Sequence, residues 1–187
     1  MDSTLARRTT ITVTRQPAQV CIDGFCIQSA PTVAEMHAVL GQPSRIDAGE
    51  KPAPAGHRNN RVHIFDDLGV TFNEHHYTRL AQGITCWFDV EEPPFQFTPK
   101  CTFQGQLVFE RVTMPLGGDV RAFLAASPYA FTDHFAGTWR YEFEGFSVIV
   151  ASRGTRLPSG RRSKVRRVTD ISLSWPHDNW QPPAGGI

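Results

Sequence analysis

The stretch QVCIDGFCI at residues 19–27 has a counterpart in QLVFERVTM at residues 106–114, about 87 positions later, and the comparison of the two decides the fold. Val20, Ile22, Phe25 and Ile27 match Leu107, Phe109, Val112 and Met114. The correspondence extends outward, with Val33 and Met36 matching Val120 and Phe123, and Ile84 and Cys86 matching Ile171 and Leu173. The shared positions are apolar, and almost no ionisable residue repeats with them. They mark a common core rather than a common chemistry.

Each copy reads as a hairpin, a helix and a set of strands. In the first, Asp23-Gly24 is a type I′ turn signal between two short apolar runs. A helix follows, because Thr32 can cap it, Glu35 completes a capping box, and Val33, Met36, Val39 and Leu40 fall on one face. Gly41 and Pro43 stop it. Val62 to Asp66, Gly69 to Asn73 and Gly83 to Asp89 read as strands, and Thr9 to Arg15 as one more before the repeat. In the second copy Gly105 to Met114 is the hairpin, Asp119 caps a short helix through Ala126, and Ser127-Pro128 ends it. Thr138 to Phe143, Phe146 to Ser152 and Val168 to Trp175 are strands, the last alternating Thr169, Ile171, Leu173 and Trp175 against Val168, Asp170, Ser172 and Ser174.

These elements predict an α+β fold of two tandem ββαβββ-like units, with an antiparallel sheet and one short helix in each and pseudo-twofold packing. The expected boundaries are 1–89 and 105–176 for the units, 90–104 for a crossing, and 177–187 for a tail carrying Trp180. Pro93, Pro94 and Pro99 with Phe95, Phe97 and Phe103 suggest that the crossing is pinned against both halves. Ser44 to Arg61, rich in Pro, Gly, Ala and Asn, is expected to be a mobile loop.

At 187 residues, with 40% hydrophobic and 20% charged side chains, the chain suits one globular domain or two small lobes sharing a core. Residues 1–8 lack a secretory apolar run, and nothing approaches the roughly 18 apolar residues of a membrane span. The expectation is a cytoplasmic protein. Cys21, Cys26, Cys86 and Cys101 lack zinc-site spacing and are read as reduced thiols, although Cys21 and Cys26 can approach each other in a tight hairpin.

The net charge of +1 conceals an asymmetry. Arg153, Arg156, Arg161, Arg162, Lys164, Arg166 and Arg167 form a basic run with no acid among them, and removing these seven leaves the remainder at −6. Gly154, Pro158, Ser159 and Gly160 suggest that this run is a floppy hairpin tip, and no aromatic is interleaved to stack on bases. It is the alternative anion-binding site, for nucleic acid or another anionic surface.

Glu74, His75 and His76, with His63, Asp66 and Asp67, have the residue types of a metal or acid–base site. On a strand, however, His75 and His76 point to opposite faces, and Glu74 to Arg79 reads as a polar tip. No catalytic or nucleotide-binding motif of standard spacing is present. The reading assigns no catalytic residue, metal or cofactor. The acids Asp66, Asp67, Asp89, Glu91 and Glu92 instead form a field that can hold a basic partner, with Glu74, His75, His76 and Tyr77 at a neighbouring tip.

Gly41-x-Pro43 after a short helix, Phe65-Asp66-Asp67-Leu68-Gly69-Val70, and Phe95-x-Phe97-x-Pro99-x-x-x-Phe103-x-Gly105-x-Leu107 resemble a family of small bacterial domains found in polymorphic-toxin and type VI secretion neighbourhoods. The resemblance covers most of the chain and rests on turn glycines, prolines and core aromatics. It implies an immunity protein that binds a cognate toxin and blocks it by occlusion. It transfers no catalytic residue. The Ser44 to Arg61 and Arg153 to Arg167 segments are longer or more basic than the family pattern, and variable regions of that kind are where a partner site is expected.

Overall fold

The structure, a computed structural model, describes residues 8–48, 60–76, 78–90, 97–135, 137–156, 159 and 161–176. Within them the chain runs β1 (Thr10–Arg15), β2 (Ala18–Ile22), β3 (Phe25–Ile27), α1 (Val33–Leu40), β4 (Arg45–Asp47), β5 (Arg61–Phe65), β6 (Val70–Glu74) and β7 (Ala81–Trp87). It continues with β8 (Gln106–Phe109), β9 (Val112–Thr113), α2 (Val120–Ala126), β10 (Thr132–Phe135), β11 (Thr138–Phe143), β12 (Phe146–Arg156) and β13 (Arg162–Ser174). The fold is α+β and mostly sheet.

The local signals explain the local elements. Asp23 (φ 50°) and Gly24 (φ 86°) both take the left-handed conformation that a two-residue I′ turn needs, and Ile22 pairs with Phe25 across it. Thr32 Oγ1 accepts the Glu35 N–H while a Glu35 carboxylate oxygen accepts the Thr32 N–H, which completes the capping box. Met36, Val39 and Leu40 are the buried face of α1. Asp119 caps α2 through the Arg121 N–H.

Four strands follow each helix, one more than the three expected. The additional ones are the short β4, inside the stretch expected to be a loop, and the exposed β10. Of the expected Ser44 to Arg61 loop, residues 49–59 lie outside the described residues. Nor does each unit keep its own sheet. The eight-stranded sheet has the order β10-β11-β12-β13-β7-β6-β5-β4, and the five-stranded sheet the order β3-β2-β1-β8-β9. The halves share both sheets, through the antiparallel β7–β13 ladder and a parallel pairing of β1 with β8.

In the β7–β13 ladder Thr85 faces Ser172, Ile84 faces Leu173 and Cys86 faces Ile171. The Thr85 and Ser172 hydroxyls are hydrogen-bonded at 2.9 Å across an 87-residue separation. One core cluster draws on both sheets and both helices, including Ile11, Val20, Met36, Phe72, Leu107, Phe123, Val148 and Ile171. Where it is described, the crossing is pinned against the first half: the Phe103 N–H donates to Trp87 O at 2.6 Å, and Phe103 is buried. Phe95 lies outside the described residues, and Phe97 is half exposed.

Two cysteine expectations divide. Cys86 is buried and free, with its thiol pKa pushed far up by desolvation. Cys21 and Cys26, expected as thiols, are joined by a disulfide, because the Asp23-Gly24 turn sets them directly opposite each other on β2 and β3.

Candidate functional site

Three clusters of polar residues emerge, each built by pairing that is remote in sequence. The first is a buried relay. The β5–β6 ladder sets Arg61 opposite Glu74 and His63 opposite Phe72, so His63 and Glu74 project from the same face. His63 Nε2 lies 2.7 Å from Glu74 Oε2, both side chains being at most 2% exposed. His37 Nε2, from α1, lies 3.0 Å from His63 Nδ1, and the His63 ring stacks on Phe72 with centroids 4.3 Å apart. Arg79 Nε closes the cluster at 2.6 Å from Glu74 Oε1.

This geometry orders the protons. With Glu74, paired to Arg79, as the acceptor at Oε2, His63 donates from Nε2 and its Nδ1 is left to accept from His37 Nε2–H. Burial lowers the His63 pKa, opposed by the Glu74 bond, so the neutral ring is the resting form. The relay reaches solvent at half-buried His37 and at Arg79, whose side chain is half exposed. Among the described residues no hydroxyl or thiol bonds to His37 or His63, and no three His, Cys, Asp or Glu side chains converge as a metal site. The chemistry open to the relay is proton exchange and the fixing of α1 to the sheet.

The second cluster is the expected acidic surface, and burial reduces it. Glu74 (1% exposed) and His75 (7%) do not reach solvent. Glu74 belongs to β6 instead of a tip, and His75 is turned inward with its Nδ1 accepting the Thr78 N–H. His75 and His76 also do not diverge, because the chain has left the strand and their rings sit 4.7 Å apart. His76 is half-buried and hydrogen-bonded to Asn60. Asp66 accepts from Arg45 and from the Lys100 N–H, so it clasps β4 and the crossing to the β5–β6 turn. Asp67 and Asp89 are exposed. Tyr77, Glu91 and Glu92 lie outside the described residues, as does Trp180.

The third cluster is the basic run, which where it is described is paired strand and not the expected loose tip; residues 157, 158 and 160 lie outside the described residues. Arg153 and Arg156 belong to β12, and Arg162, Lys164, Arg166 and Arg167 to β13, in a ladder that pairs Arg153 with Arg167, Gly154 with Arg166, and Arg156 with Arg162. Paired backbone extends the hairpin well past the core. Arg166 is tied down, donating from Nε to Ser152 Oγ at 2.9 Å and from Nη2 to Ser152 O at 2.7 Å. Arg161, Arg162, Lys164 and Arg167 are exposed.

Next to this ladder lies a groove of about 290 Å³ lined by Asp119, Val120, Arg121, Trp139, Lys164, Val165 and Arg166. The Asp119–Arg167 bridge and the Val168 N–H to Gly118 O bond bring the start of α2 onto β13. Sheet order brings Trp139 over from β11. Sequence reading found the basic residues and missed Trp139 and Arg121, which lie 14 or more positions from Arg153 and share no periodic signal with it.

No helix among the described residues is long and apolar enough to cross a membrane. No curated protein and no solved structure matches the chain. Residues 10–115, more than half of the sequence and spanning β1 through β9, match the family described as domain of unknown function DUF7738, and the chain belongs to that family.

Proposed function

We propose that this protein is a non-catalytic, cytoplasmic binding module that neutralises a cognate bacterial toxin by covering it. The scaffold, on this reading, arose by duplication of one ββαββββ unit. The symmetric strand order about β7–β13, with Thr85 facing its 87-residue counterpart Ser172, supports that origin.

The observation that carries the binding reading is the exposure of Phe135 (75%) and of Val165 (61%), the latter flanked on β13 by Lys164 and Arg166. Apolar surface rimmed by polar groups marks protein interaction sites. The β10–β11 turn and the β12–β13 extension lie at one end of the large sheet, since Gly137 O accepts the Ser152 N–H. Asp67 and Asp89, both exposed, supply a separate acidic contact. Co-expression with the product of the neighbouring gene, taken as the toxin, tests the reading. Cells carrying both are expected to survive; equal killing with and without this protein removes it.

A second reading, binding of nucleic acid or another anionic surface, is favoured by the row of exposed cations Arg161, Arg162, Lys164 and Arg167. It predicts affinity for an arbitrary duplex that falls steeply with salt and disappears when Arg161, Arg162, Arg166 and Arg167 become Ala. Absence of duplex binding at any salt concentration eliminates it.

A further inference from the structure

We infer that the groove between β13 and the start of α2 seats an acidic segment of a partner protein, with one apolar side chain of that segment lodged against Val120, Trp139 and Val165 and its flanking carboxylates held by Arg121 and Lys164. The inference rests on the reading of the chain as a partner-binding protein and names the surface and the chemistry it recognises.

Three observations carry it. The floor is apolar and prebuilt: Val120 is 3% exposed, Trp139 is half-buried between Asp133 of β10 and Val150 of β12, and Val165 is 61% exposed. The rim is cationic. Among the described residues neither Arg121 nor Lys164 has a carboxylate within ion-pair distance, and both are exposed. The one carboxylate lining the groove, Asp119, already uses Oδ1 to accept the Arg121 N–H at 2.9 Å. Finally, Arg166 is fixed by two bonds to Ser152 and packs where a side chain on Gly137 would sit, so one wall is rigid before a ligand arrives.

The size and composition of the groove select the occupant. A volume of about 290 Å³ is at the lower end for ligand pockets and suits one side chain. A single-stranded nucleic acid needs successive aromatic platforms, whereas the groove offers one Trp. Carboxylates pair with Arg121 and Lys164 while the apolar side chain gains desolvation.

The test uses the full-length, isotope-labelled protein and three probes: a peptide of glutamates flanking one leucine, the same peptide with serine for leucine, and a short DNA duplex. The leucine peptide is expected to give saturable amide shifts confined to Arg121, Lys164, Val165 and Arg166, with a shift of the Trp139 indole N–H. The serine peptide is expected to bind roughly tenfold more weakly. Arg121→Glu with Lys164→Glu, both exposed changes, is expected to abolish the shifts while leaving the remaining spectrum in place. Trp139→Ala is checked by thermal unfolding, and Val165→Ser serves as the apolar test should Trp139→Ala fail to fold. No shift, equal binding of both peptides, or tighter binding of the duplex in the same groove overturns the inference. In the co-expression assay, full protection by Arg121→Glu/Lys164→Glu sinks the groove alone, whereas failure of the unaltered protein to protect sinks the occlusion reading.

Discussion

Glu74 shows how one buried carboxylate can organise a polar cluster without being a partner contact. Replacing it with Ala leaves the His63 Nε2–H buried and unpaired, which costs about 1–3 kcal/mol, while exposed Arg79 regains water at little cost. Chemical denaturation of Glu74→Ala is therefore expected to show a lower midpoint at unchanged slope. His63 gives the cluster a pH signature. Its folded pKa is depressed, mainly by burial, against an ordinary value of about 6.5, so the unfolded chain takes up a proton first as pH falls. Stability is thus held above about pH 6.5 and declines as pH drops below it, until His63 protonates within the fold. The groups that face it are Glu74, His37, Arg61 and, through Glu74, Arg79. Asp170, with its carboxyl pKa raised by burial, acts in the opposite sense. The difference in stability between the unaltered protein and His63→Phe, followed from neutral to acid pH, isolates the histidine; a gap that stays constant with pH removes the assignment.

At the scale of elements, the β2–β3 hairpin makes a countable prediction. With Cys21 and Cys26 paired, the oxidised protein offers only Cys101 to a thiol reagent, yields Cys86 on unfolding, and yields the other two after reduction. Detection of four thiols without reductant rejects the pairing in solution. Helix α1 makes another: Thr32→Ala removes the acceptor for the Glu35 N–H and is expected to cost about 1 kcal/mol, read from the melting temperature. These two elements also show which parts of the fold were legible. The capping box, the Asp23-Gly24 turn and the alternation of Ile171, Leu173 and Trp175 act over a few residues, so sequence alone could place them. Strand β4 could not be read, because three residues beside a Pro- and Gly-rich stretch carry no period, and it exists by pairing with β5. The basic run misled for a related reason. Gly154, expected at the tip, is paired with Arg166 inside the ladder, because the length of paired backbone is set by β12 meeting β13. Within the candidate site, the identities of His63, Glu74 and Lys164 were visible, whereas their depth was not. Burial of Glu74 depends on α1 lying over the β5–β6 face, a contact with no local signature.

For the whole molecule, the sharing of both sheets by the two halves predicts that neither folds independently of the other. β7 sits at the centre of the large sheet with β6 on one side and β13 on the other, pairing through Trp87 with Asp170 and through Gly83 with Ser174. The family boundary at residue 115 falls after β9 and so cuts between β7 and its partner. A fragment of residues 10–115 keeps the five strands of the small sheet but bares the β7 edge, including the neighbours of Ile84 and Cys86, which are at most 1% exposed in the intact chain. It also loses Tyr129, whose hydroxyl donates to Val13 O at 3.1 Å and ties the second half to β1. An unpaired central strand is a template for aggregation, and a core cut through its middle cannot offset the entropy of ordering the chain. The fragment is expected to lack a cooperative thermal transition and to self-associate, as judged by circular dichroism and light scattering, and adding residues 116–176 in trans is expected to restore both sheets. A fragment that melts cooperatively as a monomer would show instead that the small sheet and α1 form a sufficient core, which would move the stable unit of the fold from the whole chain to the family-matched part.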